Sequence, residues 1–120
     1  IQDQFYEQMR QGTDFIRQYI FPGGHLPCNR EMLRASGEHT ELRLFHLEDF
    51  GLHYARTLEL WREAYHRHID QVIALGYNRE FRRMWDYYLA SCQAGFAETT
   101  TSVVHAHFTM PGCRRDRHAP

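Results

Sequence analysis

The sequence predicts part of an α/β domain that is mostly helical and has about two strands. Two long segments repeat apolar residues every three or four positions, which is the spacing of one helix face. Two short segments instead alternate apolar with polar residues and contain β-branched side chains, which favours strands. Because two strands cannot complete a sheet between helices, we expect a piece of a larger domain.

Length and composition limit the class of protein. The chain has 120 residues, of which 42% are hydrophobic and 14% aromatic, enough to form a packed core. Its formal net charge is −1 and its arginines are interspersed with acidic residues, so no nucleic-acid partner is predicted. No apolar run approaches the roughly 20 residues of a membrane span, and three widely spaced cysteines indicate a reducing, cytoplasmic compartment.

The first half of the chain predicts a helix, a loop, a short helix and a strand. Apolar spacing favours a helix from Asp3 to Ile20, which ends at the loop "FPGGHLP". Asn29 is placed to cap a short helix that continues through Ala35, with Gly37 as its terminator. The alternation in "ELRLFHL" predicts a strand from Glu41 to Leu47.

The second half predicts two long helices followed by a strand. Six apolar residues from Tyr54 to Val72 share one helix face, and Gly76 ends that helix. Asn78 caps the next helix, whose apolar face extends from Phe81 to Phe96. The segment "TSVVHAHFTM" then predicts a strand, and residues 113–120 form a basic, flexible tail.

The histidines and glycines do not predict a metal or phosphate site. His66 and His68 lie two positions apart on a predicted helix, so they point in different directions and cannot chelate one ion. His105 and His107 share a strand face, but no third ligand is near them in sequence and no CxxC or HExxH pattern occurs. The cluster "PGG" matches no phosphate-binding loop.

Two reactive side chains lie on the apolar helix faces, and periodicity leaves their role open. Cys92 is in mid-helix among aromatic residues, where burial favours an inert, neutral thiol. Tyr54 has the position of a core tyrosine with its hydroxyl at the edge. Its neighbour His53 is expected to be exposed, and we assign it no role.

Three segments in order are typical of one enzyme family. They are "DFIRQYIFPGGHLP" (residues 14–27), "GLHYARTLELWRE" (51–63) and "FRRMWDYYLASCQAGF" (81–96). Together they resemble the C-terminal portion of the cyclopropane-fatty-acyl-phospholipid synthase family, which includes the mycolic acid cyclopropane synthases. The likeness extends from about residue 4 to residue 112. It implies that residues 1–112 are the C-terminal segment of a Rossmann-like class I methyltransferase fold.

The resemblance also implies a reaction. S-adenosylmethionine is held by the first half of such enzymes, so its site is expected outside this chain. The cis double bond of an unsaturated phospholipid acyl chain attacks the sulfonium methyl group. The resulting carbocation loses a proton from that methyl and closes to a cyclopropane, with a bound bicarbonate ion as the base.

Six residues of this chain match functional positions of the family. The resemblance implies that Tyr54 and Cys92 hold the bicarbonate and that the acyl chain is bound by Phe21, Leu58, Tyr88 and Phe96. The chemistry is consistent with this assignment, because a carbocation needs an apolar, aromatic channel that excludes water. A phenol and a neutral thiol are both hydrogen-bond donors that an anion can use.

The resemblance leaves partner, location and rival functions as expectations. We expect a peripheral protein at the inner membrane surface that acts on phospholipid acyl chains. Either a homodimer or completion by an N-terminal cofactor-binding part is expected, and the chain alone is expected to be inactive. One rival is an acyl-chain methyltransferase that closes no ring, and another is a non-catalytic helical module that binds lipid.

Overall fold

A computed structural model describes residues 1–114 of the chain. Its α-helices and strands are α1 (Tyr6–Gln11), α2 (Asn29–His39), β1 (Arg43–Asp49), α3 (Gly51–Arg67), α4 (Ile69–Ala74), α5 (Arg79–Ala97) and β2 (Val104–Thr109). The predicted mostly helical architecture with two strands is therefore confirmed. Most of the predicted flexible tail, residues 115–120, lies outside the described residues.

The predicted helix from Asp3 to Ile20 is wrong, because this segment is three short helical pieces. A 3-10 turn precedes α1, and a π-helical turn, Ile16–Ile20, follows after an irregular link. Asp14 accepts a hydrogen bond from the backbone N–H of Arg17 at 2.8 Å and so starts the last piece. The Arg17 guanidinium donates to the carbonyl oxygens of Met9 (2.6 Å) and Gly12, which ends α1.

Helix α2 runs past the residue that was predicted to end it. Gly37 lies inside α2, and the predicted N-cap Asn29 is already the first helical residue, since Cys28 occupies the cap. The Arg34 guanidinium contacts carboxylates on both sides, Glu31 at 2.8 Å and Glu38 at 2.6 Å. These pairs at helical spacing support the turn that a glycine alone would weaken.

The two strands form an antiparallel ribbon. Strand β1 begins and ends two residues later than predicted, and β2 is shorter at both ends than the predicted segment. The register pairs Leu47 with Ala106 and Glu48 with His105, and a bulge at Phe45 separates the pairs at either side of it. The ribbon follows directly into α3, because the Phe50 backbone N–H donates to the Val103 carbonyl at 3.1 Å.

Helices α3 and α5 pack against each other as an antiparallel hairpin. The predicted helix that ends at Gly76 is divided at His68, whose ring Nδ1 lies 2.8 Å from the Ala64 carbonyl oxygen. Gly76 has a φ of +90°, so it ends α4 as predicted, in a conformation that favours glycine. The cap of α5 is also confirmed, since Asn78 Oδ1 accepts from the Phe81 N–H at 2.8 Å.

The described residues form an elongated body with a small core. The radius of gyration is 18.5 Å, against roughly 14 Å for a compact domain of this length. Only Cys28, Leu58 and Leu89 are buried hydrophobic residues among those described. No helix within residues 1–114 is long and apolar enough to cross a membrane.

Candidate functional site

The start of α3 is fixed by a polar clamp that sequence reasoning missed. Asp49 Oδ1 accepts from the Gly51 N–H at 2.9 Å and from the Ser102 hydroxyl. The hydrogen bond from Ser102, together with that from Gly51, lowers the pKa of the Asp49 carboxyl. A Cβ at position 51 would overlap Ser102 Oγ and lie 3.1 Å from Ser102 Cβ, so this position favours glycine.

Tyr54 lies one turn beyond this clamp and faces α5. Its ring centroid is 4.8 Å from that of Phe96 and 6.0 Å from that of Trp61. One further turn along α3, Leu58 is only 2% exposed. The structure therefore brings Tyr54 and Phe96 together as predicted, and places Leu58 in the core of the hairpin.

Tyr88 and Cys92 lie one turn apart on α5 and their side chains interact. Burial raises the pKa of the Cys92 thiol, and the neighbouring Tyr88 hydroxyl opposes that shift. Burial also raises the pKa of Tyr88, with further contributions from Cys92 and then Tyr54. Both groups are therefore neutral at physiological pH.

Phe21 brings the first loop to the same place. Its ring centroid lies 6.0 Å from that of Tyr88, at an interplanar angle of 82°, although the side chain is 55% exposed. Phe15 contacts the adjacent Tyr87 at 4.9 Å, so two aromatic contacts attach this loop to α5. Phe21 thus joins the predicted cluster as one edge of it.

The cluster contains three side chains that can donate a hydrogen bond. The Tyr54 hydroxyl makes no hydrogen bond to any other residue within 1–114, so it is free to donate to a ligand. Neutral Tyr88 and Cys92 are donors as well. These three groups are hydrogen-bond donors near the contact between α3 and α5, and none of them is a cation.

A second polar group, also missed by sequence reasoning, joins the two helices. Arg62 donates to both carboxylate oxygens of Asp86, from Nε at 2.7 Å and from Nη2 at 3.2 Å. His66 Nε2 lies 2.7 Å from the same Asp86 carboxylate. The Arg62 hydrogen bonds are the main cause of a lowered pKa at Asp86, with His66 contributing further. The sequence pattern that could have indicated this group is the presence of charged residues next to the apolar face of each helix.

The remaining histidines and cysteines form no common site in the described chain. His66 and His68 make separate hydrogen bonds, to Asp86 and to the Ala64 carbonyl oxygen, and His53 is exposed. No group of three histidine, cysteine or acidic side chains within residues 1–114 is arranged to hold a metal ion. Cys28, Cys92 and Cys113 are all free thiols.

Comparison with known proteins identifies close relatives of this arrangement. The sequence profile of the mycolic acid cyclopropane synthetase family matches residues 1–106. The tuberculostearic acid methyltransferase UfaA1 of Mycobacterium tuberculosis is 42% identical over 72% of this chain and 20% of its own length. The cyclopropane-fatty-acyl-phospholipid synthase of Escherichia coli K12 is 37% identical over 68% of this chain and 21% of its own length. A probable fatty acid methyltransferase of Pseudomonas putida is 36% identical over 89% of this chain and 29% of its own length.

The solved structures give the class of fold. The cyclopropane synthase MmaA2 of Mycobacterium tuberculosis superposes with a TM-score of 0.73 and 28% identity, over 90% of this chain and 40% of that one. The fold is therefore the C-terminal portion of a class I methyltransferase fold, as the sequence predicted. The chain belongs to the mycolic acid cyclopropane synthetase family. It spans between a fifth and a third of the length of the curated relatives compared here.

Proposed function

We propose that this chain forms the acyl-chain end of an S-adenosylmethionine-dependent lipid methyltransferase of cyclopropane synthase type. Its substrate would be an unsaturated phospholipid whose cis double bond receives a one-carbon unit and closes to a cyclopropane. The observation that carries the proposal is the cluster at the α3–α5 contact. There the Tyr54 ring packs on Phe96 at 4.8 Å, and the neutral Tyr88 and Cys92 lie on the same helix as Phe96, two turns and one turn before it, respectively.

The relatives support the reaction class. Those compared are named as methyltransferases or cyclopropane synthases of fatty acids and mycolic acids. The methyl group on the sulfonium sulfur of S-adenosylmethionine is an electrophile that an alkene can attack. The described residues contain no glycine-rich cofactor loop. This chain would therefore bind the acyl chain and the base, and the cofactor would be bound elsewhere.

The aromatic wall suits a cationic intermediate. Phe96 packs on Tyr54, Tyr88 contacts Phe21, and the half-buried Cys92 lies one turn from both Tyr88 and Phe96 on α5. Aromatic faces attract cations, and an apolar lining keeps water from capturing a carbocation before the ring closes. We propose that Leu58 and Phe21 complete the wall around the reacting carbons.

Tyr54 and Cys92 would hold the base. Bicarbonate, when bound, accepts the proton that the added methyl group loses. The hydroxyl of Tyr54 would donate to one of its oxygens, and the neutral thiol of Cys92 would donate to another. Since burial raises the pKa of Cys92, the thiol keeps its proton and does not compete as an anion or act as a nucleophile.

The test is methyl transfer by this chain joined to an S-adenosylmethionine-binding part, after removal of each donor. Label from S-adenosylmethionine is followed into unsaturated phospholipid for the parent, Tyr54→Phe and Cys92→Ser. We expect Tyr54→Phe to lower kcat/KM about 100-fold, as loss of one positioned donor does elsewhere. Cys92→Ser keeps a donor of different length and should cost less.

Two matched variants separate the site from general effects. Tyr19→Phe and Cys113→Ser remove the same groups from exposed positions and should leave activity unchanged. Full activity of both Tyr54→Phe and Cys92→Ser would exclude the anion site. Lipid binding without any methyl transfer by the parent protein would favour the non-catalytic lipid module.

A second function within the class is methyl addition without ring closure. The relative of 42% identity is named a tuberculostearic acid methyltransferase, and that of Pseudomonas putida a probable fatty acid methyltransferase. Both outcomes use the same first step and differ in which proton leaves afterwards. Proton NMR of the extracted lipid decides between them, because cyclopropane protons resonate apart from those of a branch methyl or a methylene group.

A further inference from the structure

The far end of the hairpin exposes apolar side chains together. We define the hairpin tip as residues 67–83, which include α4 and the turn into α5. Within it Leu75 is 76% exposed, Ile73 48% and Tyr77 46%. Adjacent exposed apolar groups on a turn mark a contact surface rather than a core, since nothing in residues 1–114 covers them.

The hairpin tip also holds arginines that lack carboxylate partners. Within the described chain, no salt bridge is formed by Arg67, Arg79, Arg82 or Arg83. Of the other described arginines, Arg10, Arg30, Arg34, Arg56 and Arg62 pair with carboxylates, whereas Arg17, Arg43 and Arg114 do not. The hairpin tip contains four arginines but only two acidic residues, Asp70 and Glu80, although the net charge of the chain is −1.

We propose that the hairpin tip docks on an anionic lipid bilayer. The exposed leucine, isoleucine and tyrosine would enter the boundary between head groups and acyl chains, while the unpaired arginines meet anionic head groups. A protein partner with an acidic surface would use the charge but would not need three exposed apolar groups around a tight turn. The combination of the two favours the lipid surface.

An aromatic path leads from the tip toward the candidate site. Consecutive ring centroids are 4.4 Å apart from Tyr77 to Phe81, 6.0 Å from Phe81 to Trp85, and 5.1 Å from Trp85 to Tyr88. From Phe81 to Cys92 the helix rises about 16 Å, close to the roughly 15 Å of one bilayer leaflet. This part of the inference rests on the proposed function, because the path would guide an acyl chain from the bilayer to Cys92.

Vesicle binding tests the tip independently of catalysis. The full chain is mixed with saturated phosphatidylcholine vesicles with or without phosphatidylglycerol, without S-adenosylmethionine, and bound protein is measured by flotation. We expect binding to the anionic vesicles only, weakened by added salt. Leu75→Asp should lower the affinity about tenfold or more. Arg79→Gln with Arg83→Gln should lower it about fivefold for each arginine.

Matched variants on α3 control for charge and hydrophobicity. Leu52→Asp, at a leucine that is 62% exposed, and Arg56→Gln, at a paired arginine, should bind as the parent does. Equal binding by the tip variants and the parent would overturn the proposal, as would equal binding to neutral vesicles. Parent protein that binds no vesicle would also overturn it and would assign the tip to a protein contact.

The readouts separate this inference from the proposed function. Because the vesicles are saturated and no methyl donor is present, binding reports on the tip alone. Vesicle binding, without methyl transfer to unsaturated lipid by the chain joined to a cofactor-binding part, would contradict the proposed function but support membrane docking by the hairpin tip. Methyl transfer to a detergent-dispersed lipid without vesicle binding would do the reverse. Circular dichroism of each variant checks that its helices are intact.

Discussion

The α3–α5 hairpin and the β1–β2 ribbon differ in how deeply each buries its apolar side chains. The hairpin contains Leu58 and Leu89, two of the three buried hydrophobic residues within residues 1–114. The ribbon has antiparallel pairing along its length, but its only buried residue is Thr109, and Leu47, Val104, Ala106 and Phe108 are half-buried. Leu44 and Phe45 on β1 remain 37% and 40% exposed.

Packing between α3 and α5 therefore determines which residues of the candidate site have fixed relative positions within the described chain. Tyr54, Tyr88, Cys92 and Phe96 lie on two helices that bury side chains against each other, so their relative positions follow from the hairpin. In the ribbon, backbone pairing is accompanied by apolar side chains that are at most half-buried. Its side chains therefore contribute less to the stability of the described residues than those of the hairpin do.

Leu58→Ala should have the largest effect on stability. The side chain is 2% exposed between the helices, and a buried leucine truncated to alanine costs about 2–5 kcal/mol. The matched change on the ribbon, Leu44→Ala, should cost about 0.5 kcal/mol, because that leucine is already 37% exposed. Urea unfolding followed by far-UV circular dichroism measures both free energies. Equal losses for the two variants would mean that the hairpin is not the main core.

Gly51→Ala tests the joint between the two regions. Its added Cβ would overlap Ser102 Oγ and lie 3.1 Å from Ser102 Cβ, so either the segment before β2 or the start of α3 must move. Overpacking of this kind costs about 1–3 kcal/mol of unfolding free energy. Ser102→Gly removes both contacting atoms, so combining it with Gly51→Ala should recover part of the loss. A double variant no better than the additive sum would place the strain elsewhere.

The hairpin was the most predictable part of the structure. Its apolar spacing from Tyr54 onward, the Asn78 cap and the Gly76 terminator are local signals, and the structure follows them. The face predicted for α5 also turned out to face α3, since periodicity identifies the buried side of a long helix. The family resemblance added the functional meaning of Tyr54 and Cys92, which spacing could not supply.

The errors fall where side chains compete with backbone hydrogen bonds. Arg17 ends α1 by reaching back to carbonyl oxygens, and His68 divides the next helix by its contact with Ala64. Apolar periodicity contains no information on such contacts. The clamp of Asp49 on Ser102 was missed for a different reason, because it joins residues 53 positions apart in sequence.

Asp86→Asn should have the smallest effect of the three, and one that depends on pH. Hydrogen bonds from Arg62 lower the pKa of Asp86 in the folded state, so its charged form stabilises the fold. That contribution is present above the unfolded pKa of about 4 and is lost as the pH falls through the lower folded value. We expect the variant to lose about 1 kcal/mol at neutral pH, since the carboxylate is partly exposed.

Measuring unfolding from neutral to acidic pH therefore distinguishes the ion pair from simple packing. The parent and Asp86→Asn should converge in acid, where both side chains are uncharged. Glu59→Gln provides the comparison, because its partner Arg56 is 60% exposed on the same helix and lies outside the interface between α3 and α5. Its effect should be smaller and easily screened by salt. A gap between parent and Asp86→Asn that stays constant with pH would show that Arg62 and His66 join the helices through shape rather than charge.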